Sequence, residues 1–170
     1  LNSFSAAYSQ ATASAKINVT GTELRPVVIQ AAGDVNVTSQ VKNTAASSAR
    51  TSKNEGATAE APTNTKSIGA SVAISKATTT VHAILNQFTE IVSSANVNVH
   101  ARAETKTESS ADVTVYDDGL AAVGLSLGFD VVDIRASVDG KITATGLTTA
   151  KAFTKDSVSS TGNTITLPGH

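Results

Sequence analysis

Six aspartates, Asp112, Asp117, Asp118, Asp130, Asp133 and Asp139, fall within 28 positions, with Arg135 the only basic residue among them. Carboxylates at turns are the groups that gather a calcium ion, which takes about six to eight oxygens. Asp117, Asp118, Asp130 and Asp133 are the calcium candidates. The stretch has neither an EF-hand loop nor the glycine-rich nonapeptide of calcium-binding β-rolls. The simpler expectation is an acidic, solvated face on which Arg135 pairs with Asp133 and Asp139. No cofactor is expected, with calcium as the alternative.

Other chemistry is thinner still. Tyr116 beside Asp117 and Asp118 is the one group suited to polysaccharide cleavage, which needs carboxylates for acid/base work beside aromatic platforms. The Asp-Asp-Gly that follows Tyr116 reads better as a tight turn. His82 and His100 have no His-x-His or Glu-x-x-His partner and are expected to face solvent. His170 ends the chain. No Ser/His/Asp arrangement can be argued, so the chain is not expected to be an enzyme. Asn18-Val19-Thr20 and Asn36-Val37-Thr38 fit the glycosylation pattern, as chance matches in a chain rich in Asn and Thr. Thr78-Thr79-Thr80 suggests an ice-binding face, but the Thr residues do not recur at one fixed position per repeat.

The composition limits what can position any site. The chain has 170 residues, 40% apolar but only 4% aromatic, with no Trp, Met or Cys. Burial must come from many small contacts, and β-branched Val, Ile and Thr favour extended chain. Disulfides and thiolate metal sites are excluded. Net charge is −1, without the clustered Lys and Arg of a nucleic-acid footprint. The longest apolar run, residues 120–129, falls short of the ~18 residues of a membrane helix. The chain starts at Leu1 without a leader and reads as a mature chain or an excised segment, with any export signal elsewhere.

Residues 96–108 alternate almost without fault. Asn98, His100, Arg102, Glu104, Lys106 and Glu108 take one face; Val97, Val99, Ala101, Ala103, Thr105 and Thr107 take the other. Such a period of two marks a strand with one wet and one dry side. The phrase that opens it recurs. Ile29-Gln-Ala-Ala-Gly-Asp-Val-Asn-Val matches Ile91-Val-Ser-Ser-Ala-Asn-Val-Asn-Val. A weaker copy runs from Ile142 through Gly146, and Ile17-Asn18-Val19-Thr20-Gly21 looks like a relic. Residues 68–74 parallel residues 123–129, each alternating apolar with small. The approximate units are 1–33 (partial), 34–95, 96–145 and 146–170 (partial), with residues 53–66 a surface-loop insertion. Residues 81–92 are the best helical candidate, although strand is preferred there.

Stacked coils can bury the dry face of such units, each coil bonding to the next. The expected fold is all-β: a parallel β-solenoid with long coils of roughly 50–62 residues, with a β-sandwich as the alternative. Val35, Val37, Val97, Val99, Val72, Ile74, Leu127, Phe129, Ile134 and Val138 are expected inside.

The phrases Ala-Gly-Asp-Val-Asn-Val-Thr-Ser, Ala-Asn-Val-Asn-Val-His-Ala-Arg-Ala and Ala-Val-Gly-Leu-Ser-Leu-Gly-Phe resemble repeats of very large bacterial surface and secreted proteins. These are filamentous-haemagglutinin-like adhesins, autotransporter passengers and giant fusobacterial leukotoxin-like proteins. The resemblance spans roughly residues 27–152. It implies a right-handed parallel β-solenoid, an extracellular or cell-surface location and a rod-like or adhesive role, with no catalytic motif. The expected function is a non-enzymatic structural or adhesive module that self-associates end to end or edge to edge. Its outside partner would be a host surface or glycan, not nucleic acid or membrane interior. The alternatives are a carbohydrate- or host-binding β-sandwich and a calcium-stabilised surface module.

Overall fold

The computed structural model describes residues 3–52, 68–116 and 121–167. They form nine strands: β1 (Ser3–Val19), β2 (Val27–Ala31), β3 (Val35–Ser52), β4 (Ile68–Leu85), β5 (Thr89–Ser93), β6 (Val97–Tyr116), β7 (Ala121–Val138), β8 (Lys141–Ala144) and β9 (Thr148–Leu167). Three sheets result, ordered β1-β4-β7, β2-β5-β8 and β3-β6-β9. Every pairing of named strands within them is parallel. The chain is a parallel β-solenoid. Each coil is a long strand, a short strand and a long strand, so the cross-section is a flattened triangle with two long walls and a short base.

The repeated phrase sets the register. Val35-Asn36-Val37 lies on Val97-Asn98-Val99. At the corner before them, Asn96 donates from its backbone N–H and its Nδ2 to Asp34 Oδ1, 62 residues back, at 2.9 and 3.0 Å. One coil further, Leu147 N–H donates to Asn96 Oδ1 across 51 residues at 2.9 Å. A second ladder, Asn36–Asn98–Thr149, climbs the outside with bonds of 3.0 and 2.6 Å. These short polar side chains cross-link turn to turn while their backbones carry the sheet bonds.

Residues 81–92 are not helical; they are the end of β4, a corner at 86–88, and β5. Asn86 fastens that corner, with Nδ2 donating to Gly21 O at 2.8 Å and Oδ1 accepting from Gly21 N–H at 3.1 Å. The 68–74 and 123–129 segments do stack, but two residues out of the expected frame: Val123 lies on Ala70, and Leu127 on Ile74.

The core tapers. Beside the base, Val81, Leu85, Ile91, Val97 and Val99 are fully buried, with Val35, Ile134 and Val138 packed against them. Toward the far end most inward residues are small, Ala49, Ser71, Ala73, Ser75 and Ala111, with Val113 the large one buried among them. There, as at Ser39 nearer the base, hydroxyls reach across to the opposite backbone. Ser71 Oγ donates to Ala49 O and Ser126 Oγ to Ser109 O, at 2.8 and 2.7 Å. Gly124 and Gly162 face each other at this end. A Cβ on Gly124 would sit 2.8 Å from Ala111 O, and one on Gly162 would sit 2.7 Å from Gly124 O.

That taper corrects four expected core positions. Val72, Ile74, Leu127 and Phe129 point outward; their neighbours Ser71, Ala73, Ser75, Ser126 and Gly128 point in. A slip of one residue exchanges the faces of a strand. Here the large side chains take the outside because the thin end of the core has no room for them.

Candidate functional site

The acidic stretch does not converge. Asp130 and Asp133 stand on opposite faces of β7. Asp117 and Asp118, with the turn expected there, lie outside the described residues. Asp133 points outward and accepts from His82 Nε2 at 2.9 Å when that nitrogen carries the proton. Asp112 points outward on β6 and accepts from Asn163 Nδ2 at 3.0 Å. Asp139 follows the end of β7 in the corner before β8. Among the described residues no three His, Asp or Glu side chains come together as metal ligands would.

Asp130 is the unusual member. It points into the third coil, in line with Ala11 and Ala77 below it. Its Oδ1 accepts from Thr107 Oγ1. Its Oδ2 is shielded from water and has no hydrogen-bond partner among the described residues. Burial raises its pKa above the usual carboxylate value, and the charge of Asp156 raises it further. The facing wall is polar near this level: Asn43 Nδ2, from β3, donates to Thr78 O at 3.0 Å and Thr79 Oγ1 at 3.1 Å.

His100 stands edge-on to Phe153 with ring centroids 5.7 Å apart, and the Arg102 guanidinium lies 5.5 Å from the same ring centre. Of the Thr triplet, Thr78 and Thr80 face outward and Thr79 is buried; in the third coil their outward row continues as Val131 and Asp133.

The two long outer walls differ in kind. On β3-β6-β9 the outward rows are polar, with ion pairs Lys42–Glu104 at 3.3 Å and Lys106–Glu108 at 2.6 Å. A shallow open trough of about 530 Å³ crosses it, lined by Ser48, Glu108, Ser110, Ser159 and Thr161 among others. On β1-β4-β7 the rows stack as Phe4, Ala70, Val123; then Ala6, Val72, Leu125; then Tyr8, Ile74, Leu127. Charge enters at Lys76, in the row Gln10, Lys76, Phe129, and again toward the base in the rows Ser14, Thr80, Asp133 and Lys16, His82, Arg135. Sequence reasoning missed this apolar wall. Its signal is the companion set of tiny residues, Gly124, Ser126 and Gly128, at the other parity of the same strand.

The ends of the stack are the third feature. β1, β2 and β3 leave one backbone edge unpaired, and β7, β8 and β9 leave the other. Inward residues of the middle coil such as Val81, Ala83 and Val99 are fully covered, whereas inward Ile17 and Val158 in the end coils are 38% and 52% exposed. Compared with protein-family models, curated proteins and solved structures, the chain matches none.

Proposed function

We propose that the chain is a non-enzymatic structural module: a stiff β-solenoid segment of a secreted or cell-surface bacterial protein, which adds further coils at its open ends. One observation carries the reading. The end coils have full-length strands whose inward side chains are left open, while the same rows in the middle coil are sealed. An unpaired strand edge is a template for another strand, and solenoids without polar caps continue or associate. The repeat phrases, which resemble those of large bacterial surface proteins, support the location. The ion pairs of the polar wall are exposed and each contributes little to stability, about 0–1 kcal/mol; their part is to keep that wall wet.

The test is sedimentation and electron microscopy of the purified chain beside an Ala150→Lys/Ala152→Lys variant. Both alanines point inward on β9 and are exposed only because no coil lies on them. The parent is expected to form concentration-dependent rods, and the variant to lose them. A parent that forms no rods at any concentration overturns end-to-end addition.

A further inference from the structure

We infer that the β1-β4-β7 outer wall is a lateral docking surface for a second copy of this chain, packed sheet against sheet. Among the described residues fourteen large apolar side chains are exposed, and eight of them lie on this one wall. Phe4 is 71% exposed, Tyr8 63%, Val123 57% and Leu125 46%. Together the eight present roughly 700 Å² of apolar surface, taking about 200 Å² for a fully exposed aromatic and somewhat less for an aliphatic. A monomer's largest patch is usually about 300–600 Å². A standard interface buries about 800 Å² on each partner.

Three observations select a second copy as the occupant. The internal segments outside the described residues, 53–67 and 117–120, contain a single large apolar residue, Leu120, too few to match the apolar area of this wall. A lipid surface does not fit the free chain, because β1 and β7 then border the patch with unpaired backbone edges, and hydrocarbon does not tolerate those. The area is about what one side of a stable dimer needs, and a flat face repeated on each copy complements itself across a two-fold axis. The two sheets would pack at about 10 Å with strands within about 30°, as in sandwiches. Lys76, in the row of Phe129, would lay its stem along the apolar face and keep its ammonium in water at the edge, and the rows carrying Asp133 and Arg135 would stay at the rim.

This pairing is lateral and independent of coils adding at the ends. It is therefore tested in the Ala150→Lys/Ala152→Lys background, where the β9 end is blocked and head-to-tail addition of coils with it. Sedimentation equilibrium should give a dimer. Adding Leu125→Lys and Leu127→Lys should weaken it at least about 100-fold, with the circular dichroism spectrum of the folded chain unchanged. Because the chain has no Cys, a single Val72→Cys at the wall's centre gives a second readout. It should cross-link to its own copy with a short bismaleimide, and Lys106→Cys on the polar wall should not. A monomer up to the solubility limit, equal cross-linking from both walls, or binding of the monomer to phosphatidylcholine vesicles in place of dimerisation overturns the inference. End-to-end rods that persist in the Leu125→Lys/Leu127→Lys chain leave the structural reading standing while the lateral contact is tested alone.

Discussion

At the broad end of the cross-section, Leu85, Ile91, Val97 and Val99 fill the space between the walls. At the narrow end the same inward rows hold Ser71, Ala73, Ser75 and Ala111. The first end is held by apolar burial, about 1.5–3 kcal/mol for each large side chain. The second buries little, and is held by close approach and by hydroxyls that bond the facing backbone, each worth about 1 kcal/mol net. One strand can serve both ends because its inward residues shrink along its length. The cost falls on the outside: where, Val113 apart, the inward positions are small, large residues face out, and one wall becomes apolar.

The largest expected effect is at the broad end. Val99→Asp places an unpaired charge in the dry core, at a cost of at least about 4 kcal/mol, a large share of a domain's total stability. Circular dichroism should show no cooperative melt; a parent-like melt means that Val99 does not face inward. Next is the narrow end. Gly124→Val drives a Cβ against Ala111 O and should cost about 1–3 kcal/mol, read in urea titration. Were the two ends alike in width, the added side chain would stabilise instead.

Ser75→Ala tests the hydroxyl zipper. Ser75 Oγ donates to Glu108 O at 2.5 Å and meets Ser47 Oγ at 2.7 Å. Its loss should destabilise by about 1 kcal/mol, more if Glu108 O is left without a partner. An apolar core of the ordinary kind would tolerate the alanine.

The smallest effect is at Asp130, midway along the taper, and its sign is opposite. Its folded pKa is raised by burial first and by Asp156 second. The folded state therefore holds this proton more tightly than the unfolded chain. Stability from that proton is fully present below the unfolded carboxylate pKa and is lost as pH rises through the folded value. Asp130→Asn should melt higher than the parent at neutral pH, and the gap should close on acidification. A gap that widens in acid contradicts the buried placement.

Much of this fold is legible in the residues. The alternation at 96–108 shows its dry face as Val97, Val99 and Ala101, and these are buried. The phrase shared by 29–37 and 91–99 fixes the stacking of one coil on the next. The parity of β4 and β7 is not legible by the rule that large apolar residues go inside. That rule assumes an interior wide enough to hold them, and the width is set by residues far apart in sequence, such as Gly124 and Gly162. The same parity decides the acidic stretch: three positions separate Asp130 from Asp133, and an odd separation sends them to opposite faces. The apolar wall was hidden for the same reason, since Leu125 and Leu127 are core residues to any reading that does not know how close the walls lie.

The central claim is that consecutive coils stack in parallel with Asn36 on Asn98. A disulfide tests it most directly, because bridged Cα atoms lie about 4.4–6.8 Å apart and neighbouring strands about 4.8 Å apart. The chain has no other Cys to compete. Asn36→Cys/Asn98→Cys should oxidise readily in air and raise the melting temperature. Asn36→Cys/His100→Cys, displaced by two residues along the neighbouring strand, should not bridge in the folded chain. Equal oxidation of both pairs, or of the displaced pair alone, would contradict the stacked register on which the taper, the open ends and the apolar wall all depend.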